Sequence, residues 1–363
     1  MASISVSKKK IAVIGSGNWG SAFASHVGEK VRELKSQYHE QILMWCKEEI
    51  LDDGSKLSEI INREHKNVKY LPNKKIPDNI IAVPDLVEAV KDADILVFVI
   101  PHQYVKNTCE QIKNKIKKDA FALTLIKGFH VDEKTNELLL VSQIIENILH
   151  IPCACMMGAN IANEVAEKVF CESTVGSRND KHSEIIRQLI DTSHFRLRFF
   201  PDIEIIQMLG GLKNIVSMLV GFSEGLGAGF NTRAAILRLG LREMINFCRL
   251  YRKESTPEIY FESCGIADLI TSSLGGRNYM GAKKMAKTNK SLEDIEKELN
   301  GQSLQGPSTA KEVYHYLQTK NLLDKFPLFR DAYLICEQKI KPHVFIDNLP
   351  THPEFDQKNR KRS

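Results

Sequence analysis

The sequence has no cysteine arrangement that suggests a disulfide framework or a metal site. Its 363 residues include eight cysteines, none of them in a CxxC spacing. The closest two, Cys153 and Cys155, are separated by one residue in a predicted strand, where both side chains would point to the same face. This pattern favours buried thiols in a reducing compartment over disulfides or zinc. We therefore expect no metal ion.

Long hydrophobic runs and targeting signals are also missing. Apolar runs such as ILVFVI, residues 95–100, fall well short of the roughly 20 residues of a membrane span. No signal-peptide pattern precedes the first predicted strand, and the final KRS differs from the peroxisomal SKL address. We therefore expect a cytoplasmic protein with no membrane partner.

A strong excess of one charge sign is absent too. The formal net charge of +5 results from 50 Lys and Arg against 45 Asp and Glu, with visible excess in SKKK near the start and KNRKR near the end. Short basic runs at chain ends are typical of solvated tails, so we predict no nucleic-acid partner. The content of 43% hydrophobic and 26% charged residues is typical of a soluble globular protein.

The length and the hydrophobic periodicity predict two domains, since an ordinary domain has about 100 to 200 residues. In the first 200 residues, short apolar segments alternate with amphipathic helices. Predicted strands cover residues 10–15, 42–46, 93–100, 120–126, 153–158 and 196–200. Beyond residue 200, predicted helices cover residues 203–223, 232–251, 257–265, 279–289, 291–298 and 308–318.

A glycine-rich turn follows the first predicted strand, in KIAVIGSGNWG. In a dinucleotide site the first glycine permits a tight turn, the second lets a pyrophosphate approach the backbone, and the third lets the helix pack closely. The helix N-terminus offers amides and the positive end of its dipole. The alternative is a purely structural turn, but its place at the first strand-to-helix junction favours a dinucleotide. The predicted cofactor site comprises Gly15, Ser16, Gly17, Asn18, Trp19 and Gly20.

The residues after the second predicted strand bear on which dinucleotide is bound. An NAD site usually has an acidic residue there that binds the adenine ribose. Glu48 and Glu49 follow ILMWC but come late, and Lys47 stands before them, where a lysine could attract the extra phosphate of NADP. We predict NAD as the cofactor and include Lys47 in its site.

These patterns define the predicted architecture, an α/β fold in two parts. Residues 1–200 are predicted to form a Rossmann-type dinucleotide-binding domain, a mostly parallel sheet with helices on both faces. Residues 201–350 are predicted to form an all-helical substrate-binding domain, and residues 351–363 a basic tail.

Two further predicted strands end in side chains that could reach a ligand. Tyr104 follows the strand at 93–100 and could lie against the cofactor or pack beneath the turn. Lys127 follows the strand at 120–126 and would face either solvent or an anionic ligand. Because open α/β sheets bind ligands at the carboxyl ends of their strands, these residues and the glycine turn would meet at one edge.

The first helix beyond residue 200 carries a lysine in an apolar setting. In LGGLKNIVSMLVGF, residues 209–222, Lys213 and Asn214 lie on a narrow stripe of small and polar residues. One interpretation is a close helix crossing in which Lys213 snorkels to water. The other is a buried ammonium, which needs a partner or has a lowered pKa. Asp268, in the apolar stretch CGIADLI, is the candidate partner.

An anion site is predicted shortly after Asp268. Ser272 follows four residues later, and Arg277 and Asn278 follow a Gly-Gly turn that opens the next helix. A guanidinium fork beside the free amides of a helix N-terminus suits a phosphate.

Together, the dinucleotide turn, the buried lysine and the anion site predict hydride transfer on a small phosphorylated alcohol. Lys213 would protonate the new alkoxide when a ketone is reduced and remove that proton in the reverse direction. Lys127 and Asn214 would polarise the carbonyl oxygen.

The chain resembles the eukaryotic-type NAD-dependent glycerol-3-phosphate dehydrogenase family over nearly its whole length. The motifs that carry the resemblance are, in order, GSGNWG, VKYLPN, FVIPHQ, IKGF, MGANIANEVA, GGLKNIV, NTRAAILRLGL, ESCGIADLITSSLGGRN and GQSLQGPSTAKEV. The resemblance implies a Rossmann-type domain, a helical substrate domain, a homodimer, and interconversion of dihydroxyacetone phosphate and sn-glycerol 3-phosphate.

The resemblance also implies roles for individual residues. As catalytic residues it implies Lys213, Lys127, Asn214 and Asp268. As contacts of the substrate it implies Lys127, Ser272, Arg277 and Asn278. As further contacts of the cofactor it implies Tyr104, Ala162, Arg277 and Gln305.

The sequence departs from this family at two positions and leaves two other functions open. Animal relatives have an aromatic residue where Lys47 stands, and usually threonine where Ser272 stands, which keeps the hydroxyl. One alternative is a dehydrogenase of a non-phosphorylated 3-hydroxy acid or larger sugar acid, with Arg277 binding a carboxylate. The other is an inactive dinucleotide-binding sensor, whose mark would be loss of Lys213 or Asp268; both residues are present.

Overall fold

The computed structural model describes residues 7–132, 135–298 and 304–356. The chain forms two compact units: Met1–Ile126 with Val141–Glu204, and Lys127–Leu140 with Ile205–Ser363. The predicted domain boundary near residue 200 therefore does not account for residues 127–140, which precede it in the chain but belong to the second unit. The run KNRKR, the rest of the predicted tail after residue 356, and residues 301–303 of the GQSLQGPSTAKEV motif lie outside the described residues.

The first unit contains a mostly parallel sheet and the helices that connect its strands. In chain order its elements are β1 (Lys9–Ile14), α1 (Asn18–Glu33), β2 (Tyr38–Trp45), α2 (Leu57–Glu64), β3 (Lys66–Asn67), β4 (Leu71–Lys75), β5 (Ile80–Val83), α3 (Leu86–Val90), β6 (Ile95–Phe98), α4 (Val105–Ile112), β7 (Phe121–Thr124), then α5 (Val141–Leu149), β10 (Cys153–Met157), α6 (Ala162–Ala166), β11 (Cys171–Gly176), α7 (Asp180–Ile190) and β12 (Phe195–Phe200). Strands β8 and β9 belong to the second unit. Lys9 and Lys10 of the basic run SKKK are part of β1 rather than of a tail.

The eight strands of the main sheet lie in the order β12-β11-β10-β7-β6-β1-β2-β5. From β5 to β10 every neighbouring pair is parallel, and only β10 and β11 are antiparallel. The chain leaves β1 in one direction to β2 and returns to its other side through β6, so the order reverses between β1 and β6. This reversal is the topological switch point at which open α/β sheets bind ligands.

Central strands are apolar throughout because both faces of the sheet are covered. In β1, Ile11 and Val13 pack into the core on one face, while Ala12 and Ile14 pack into the core on the other. Cys153 and Cys155 are both buried and, like the other six cysteines, are free thiols, as the sequence analysis predicts.

The second unit is helical apart from one hairpin. Its elements are β8 (Phe129–Val131), β9 (Leu138–Leu140), α8 (Ile203–Gly225, whose first two residues count with the first unit), α9 (Phe230–Tyr251), α10 (Asp268–Gly275), α11 (Arg277–Thr288), α12 (Leu292–Glu298), α13 (Gln305–Thr319), α14 (Pro327–Cys336) and α15 (His343–Asp347). The described elements from residue 203 to residue 351 are all helical, as predicted, and the hairpin is added to this unit from residues 127–140. The predicted α-helix at 257–265 is instead a 3₁₀ helix, Pro257–Phe261, and a π-helical turn, Ser263–Ala267. The chain folds back tightly there, because Gly265 packs against the carbonyl of Tyr260.

Helix α8 is both long and apolar in composition. It is long and apolar enough by composition to span a membrane, with a mean hydropathy of 1.5 over its most apolar 18 residues, although polar residues interrupt its apolar runs. The apolar part of α8 is entirely buried inside the protein, which is what a core helix shows. A Cβ on Gly221 or Gly225 would collide with the backbone carbonyl of Tyr279 or Lys283, so α11 crosses α8 at close range.

The described start of the predicted C-terminal tail is anchored rather than free. Nε2 of the buried His352 lies 3.1 Å from Oε1 of Glu243 in α9, and the Glu243 carboxylate also accepts from the amides of Leu328 and Phe329 at 2.9 Å each. Because Nδ1 of His352 accepts from the amide of Glu354 at 3.1 Å, Nε2 is the donor to Glu243. His352 therefore anchors this segment to the second unit, whereas Thr351, Pro353, Phe355 and Asp356 around it are exposed.

Candidate active site

The glycine turn connects β1 to α1 at the switch point of the sheet. Gly15 has φ +121°, a conformation that favours glycine, and a Cβ there would collide with the carbonyl oxygen of Val99. A Cβ on Gly20 would collide with the carbonyl of Gly15, so the third glycine lets α1 start close to the strand. Both positions are therefore needed for the turn itself.

Gly17 is different, because nothing among the described residues requires it to be glycine. It is the N-cap of α1, its φ and ψ of −65° and −175° are extended backbone that any residue adopts, and no atom lies within 4 Å of an added Cβ. The cap has no side-chain hydrogen bond, and the first turn of α1 contains no acidic residue. An open cradle of backbone amides at a helix N-terminus fits the pyrophosphate of a dinucleotide.

The other side chains of the turn face the protein. Nδ2 of Asn18 donates to the carbonyl of Tyr70 at 2.8 Å and lies 3.2 Å from Oδ1 of Asn163. Trp19 packs edge-on against Phe23 of α1. The carbonyl of Ser16 is likewise hydrogen-bonded within the unit. A dinucleotide at this turn would meet its backbone amides, with the exposed Asn18 beside them.

The acidic residues after β2 have structural partners. Glu48 accepts from Oγ of Ser58 at 2.6 Å, near the start of α2. Glu49 accepts from the hydroxyl of Tyr70 at 2.8 Å and pairs with Lys69 at 2.5 Å. Burial would raise the pKa of Glu49, but these two hydrogen bonds outweigh it and lower the pKa. Lys47 is exposed directly after β2.

The remaining predicted cofactor contacts in this unit follow other parallel strands. Tyr104 lies in a 3₁₀ turn, His102–Tyr104, that follows β6, and it is 55% exposed. The interpretation that Tyr104 packs beneath the turn is therefore wrong. Ala162 is the first residue of α6, after β10. Because β1, β2, β6 and β10 run in one direction, the glycine turn, Lys47, Tyr104 and Ala162 lie at the same edge of the sheet.

The contrast between two glycines of the turn gives a testable prediction. Gly17→Ala should leave the free energy of unfolding unchanged, because the added Cβ has room. The same methyl group would stand in the cradle proposed for the pyrophosphate. It should therefore raise the dissociation constant of NADH by about tenfold or more, which corresponds to about 1.4 kcal/mol. Gly20→Ala should instead destabilise the fold by about 1 to 3 kcal/mol through overpacking. Urea unfolding and NADH titration measure both; unchanged NADH affinity in Gly17→Ala would contradict the cradle.

In the second unit, Lys213 is buried in a group of polar side chains. Nζ of Lys213 lies 3.0 Å from Oδ1 of Asp268 and hydrogen-bonds Oγ of Ser272. Asp268 and Ser272 are one turn apart on α10, which places them on the same face. The predicted partner of Lys213 is thus confirmed, and the interpretation that Lys213 snorkels to water is wrong, since the residue is 6% exposed.

Lys127 joins the same group from the segment that precedes β8. Its Nζ lies 2.6 Å from Oδ2 of Asp268, so one carboxylate bridges two ammonium groups. The sequence predicts Lys127 at a strand end but does not predict this contact. Asp268 is 141 residues away in the chain, a separation that no local pattern spans.

Burial and charge determine the protonation of this group. Burial lowers the pKa of Lys213 to about 8; the charge of Asp268 opposes the shift and that of Lys127 adds to it. Burial alone would raise the pKa of Asp268, but Lys127 and Lys213 outweigh it and hold that pKa below its usual value. A carboxylate that stays ionised beside a lysine that titrates near neutral pH suits proton transfer.

Asn214, next to Lys213 on α8, has a defined orientation. The amide of Gly306 donates to Oδ1 of Asn278 at 2.8 Å, so the NH₂ group of Asn278 must face the other way. It donates to Oδ1 of Asn214 at 3.0 Å. The side chain of Asn278, a predicted phosphate ligand, is thus engaged between α8 and α13, and its backbone amide remains for that role.

The predicted anion site lies at the N-terminus of α11. Gly276 is the N-cap without a side-chain hydrogen bond, Arg277 is the exposed first residue, and the first turn has no acidic residue. Gln305 is the first residue of α13, beside Gly306. In residues 7–132, 135–298 and 304–356, no three His, Cys, Asp or Glu side chains lie together in a way that could hold a metal ion.

A switch-point glycine turn on a parallel sheet, followed by a helical unit with a buried lysine–aspartate pair, defines the class of two-part dinucleotide-dependent dehydrogenases. Comparison with known proteins narrows this class. A family model described as NAD-dependent glycerol-3-phosphate dehydrogenase N-terminus matches residues 10–183, and one described as the C-terminus matches residues 202–347. The chain belongs to the NAD-dependent glycerol-3-phosphate dehydrogenase family.

Individual relatives agree over nearly the whole chain. The cytoplasmic NAD(+) glycerol-3-phosphate dehydrogenase of Bos taurus is 49% identical over 348 residues, which are 95% of this chain and 99% of the relative. The enzyme of the same name from Homo sapiens is 48% identical over 351 residues, 96% of this chain and 99% of the relative. The solved glycerol-3-phosphate dehydrogenase of Saccharomyces cerevisiae has a TM-score of 0.86 and 41% identity, covering 95% of this chain and 99% of that one.

Proposed function

We propose that this enzyme interconverts dihydroxyacetone phosphate and sn-glycerol 3-phosphate with NAD(H), and that Lys213 is its general acid and base. The observation that supports the role of Lys213 is its contact with Asp268 and Ser272 in a buried setting that lowers its pKa to about 8. NAD, when bound, supplies or accepts the hydride at C2 of the substrate. The protein must then supply or accept one proton at the C2 oxygen.

Lys213 is suited to move that proton. Its ammonium has three N–H bonds, and among the described residues two are directed at Asp268 and Ser272, which leaves one for a substrate oxygen. In reduction, Lys213 gives this proton to the forming alkoxide and becomes a neutral amine. In oxidation, the neutral amine takes the proton from the C2 hydroxyl. Asp268 stays ionised in both states and holds the amine in place.

Lys127 and Asn214 are proposed to polarise the carbonyl oxygen. Lys127 shares Asp268 with Lys213, which keeps the two ammonium groups near each other. The carbonyl of Asn214 is occupied by Asn278, so Asn214 presents its NH₂ group as a donor. Donors aimed at an oxygen that gains negative charge lower the barrier of the reaction.

The N-terminus of α11 is proposed to bind the substrate phosphate. Arg277 supplies a guanidinium fork, and the backbone amides of Arg277 and Asn278 add donors at the positive end of the helix dipole. Ser272 completes the substrate contacts through its hydroxyl.

For the cofactor, we propose Gly15, Ser16, Gly17, Asn18, Trp19, Gly20, Lys47, Tyr104, Ala162, Arg277 and Gln305 as contacts.

NADH oxidation with dihydroxyacetone phosphate tests this function. Turnover should fall by about 1,000-fold or more when dihydroxyacetone, which lacks the phosphate, replaces it, because Arg277 and the N-terminus of α11 then have no anion to bind and position. NADPH run beside NADH tests the influence of Lys47. Turnover of 3-hydroxy acids but not of the phosphate ester would point to the alternative dehydrogenase. NADH binding without turnover on either substrate would point to a sensor.

Two further proposals concern the setting of the enzyme. We propose a cytoplasmic location, supported by the names of the bovine and human relatives. We also propose a homodimer on the strength of the family resemblance, and a sedimentation coefficient of a monomer at micromolar concentration would contradict it.

A further inference from the structure

A buried asparagine outside the predicted cofactor site is hydrogen-bonded to the glycine turn. Asn67, the second residue of β3, is 0% exposed. Its Nδ2 donates to the carbonyl of Ser16 at 2.7 Å and to Oγ of Ser21 at 2.9 Å, while its Oδ1 accepts from the amide of Tyr70 at 3.0 Å. Both N–H bonds and the carbonyl oxygen of this side chain are therefore used.

The orientation of the Asn67 amide follows from its backbone partners. The amide of Tyr70 can only donate and the carbonyl of Ser16 can only accept, so Oδ1 must face Tyr70 and Nδ2 must face the turn. The hydroxyl of Ser21 donates to the same Ser16 carbonyl at 3.1 Å. Two donors thus hold one carbonyl oxygen of the turn.

Holding this carbonyl also fixes the next amide. In a planar trans peptide the C=O of Ser16 and the N–H of Gly17 point in opposite directions. The N–H of Gly17 is therefore directed away from Asn67. Beside it, a Cβ added to the Cα of Gly17 would meet no atom within 4 Å. This is the amide of the N-cap of α1, the cradle described above.

The hairpin formed by β3 and β4 is itself tied to both sides of the turn. The carbonyl of Tyr70 accepts from Nδ2 of Asn18 at 2.8 Å, and its hydroxyl donates to Glu49 at 2.8 Å. Asn67 therefore acts from a support that is fixed to the residues after β1 and after β2. A bound phosphate would not have to reorient this part of the backbone, which is the general benefit of preorganisation.

We propose that Asn67 is a positioning residue for NAD: it orients the amide of Gly17 toward the phosphates of the dinucleotide without touching them. The proposal rests on the proposed cofactor contacts of the glycine turn. It also gives a purpose to the segment around the VKYLPN motif, which the proposed reaction does not otherwise use.

The test compares Asn67→Asp with Asn79→Asp in the full-length protein. Asn79 is a matched control, because it is 6% exposed and its Nδ2 also donates two hydrogen bonds, in this case to the carbonyls of Gly28 at 2.9 Å and Glu40 at 2.8 Å, outside the turn. NADH affinity is measured by fluorescence titration without second substrate, and stability by urea unfolding. Turnover at saturating NADH is measured separately.

Both variants should lose stability. Only Asn67→Asp should raise the dissociation constant of NADH, by about tenfold. Its turnover at saturating NADH should change by less than about threefold. Ser21→Ala, which removes one of the two donors to Ser16, should raise it by about threefold. Equal losses of affinity in Asn67→Asp and Asn79→Asp, or unchanged affinity in Asn67→Asp, would overturn the proposal.

If Asn67→Asp does not fold, the Ser21→Ala result decides alone, and an unchanged affinity for NADH in Ser21→Ala overturns the proposal. Absence of turnover on dihydroxyacetone phosphate would refute the proposed function and leave this binding test intact.

Discussion

Replacing Lys213 with alanine is expected to lower turnover of dihydroxyacetone phosphate by about 100-fold or more, the usual size of general acid catalysis. The variant removes a group whose pKa, about 8, lets it both give and take a proton near neutral pH. Asp268 would keep Lys127 as its partner at 2.6 Å, so the rest of the cluster should persist. NADH affinity should therefore remain close to that of the wild type.

The pH dependence of the wild-type enzyme gives a second readout of the same residue. Reduction needs the ammonium form of Lys213, so its rate should be highest below pH 8 and fall as the pH rises through about 8. Oxidation needs the neutral amine, so its rate should rise over the same interval. The residual activity of Lys213→Ala should show neither the fall in the rate of reduction nor the rise in the rate of oxidation near pH 8.

Ser223→Ala is a suitable control for this variant. Ser223 is a buried polar residue of the same helix, and its hydroxyl donates to the carbonyl of Val220 within that helix at 2.7 Å. Its loss should change turnover by less than about threefold, as expected for a hydrogen bond worth about 1 kcal/mol that is remote from the cluster. If Lys213→Ala retained turnover comparable to Ser223→Ala, Lys213 would not be the acid.

Asp268→Asn is expected to have the second large effect, on both stability and turnover. Removing the bridging charge leaves Lys213 buried with no counter-ion and facing the like charge of Lys127. Breaking a buried ion pair in this way typically costs about 3 to 5 kcal/mol. Turnover should fall by about 100-fold or more, because the amine loses its support and its proton is bound more weakly.

The destabilisation should depend on pH. The unfolded chain keeps the lysine protonated up to its ordinary pKa of 10.5, whereas in the folded variant the pKa of Lys213 should fall below the wild-type value of about 8. The unfolded state then binds more protons, so the stability of the variant relative to wild type should recover as the pH rises from 7 to 9. Urea unfolding at several pH values measures this.

Asp331→Asn is the matched control for Asp268→Asn. Asp331 is another carboxylate with 3% exposure, and it pairs with the neighbouring Arg330 at 2.8 Å in α14. It should lose stability without losing turnover. A loss of turnover in Asp331→Asn as large as that in Asp268→Asn would mean that general destabilisation, rather than the lysine cluster, explains the effect.

The sequence predicts those parts of the site that depend on local pattern. The turn at Gly15 to Gly20 can be recognised because three glycines follow an apolar strand, and the structure explains two of them by backbone collisions. The pairing of Lys213 with Asp268 follows from the cost of burying an ammonium, since few carboxylates lie in comparably apolar segments. The structure confirms that contact.

The features that the sequence does not reveal depend on contacts between distant segments. Asn67 looks like an ordinary polar residue in a two-residue strand, and only its reach to Ser16 gives it a role. Residues 127–140 read as a continuation of the first domain, because no composition change marks their transfer to the second unit. His352 looks like part of a polar tail, since its partner Glu243 lies 109 residues earlier.

The close crossing of α8 and α11 has a consequence for how this enzyme can change over generations. At Gly221 and Gly225 the space beside the backbone of α11 admits a hydrogen atom and no carbon, so no larger residue offers a gradual intermediate. Any heavier side chain would push away the helix that begins at Arg277, and the predicted anion site would move with it. These two positions should therefore tolerate almost no variation, although neither is among the proposed contacts of substrate or cofactor.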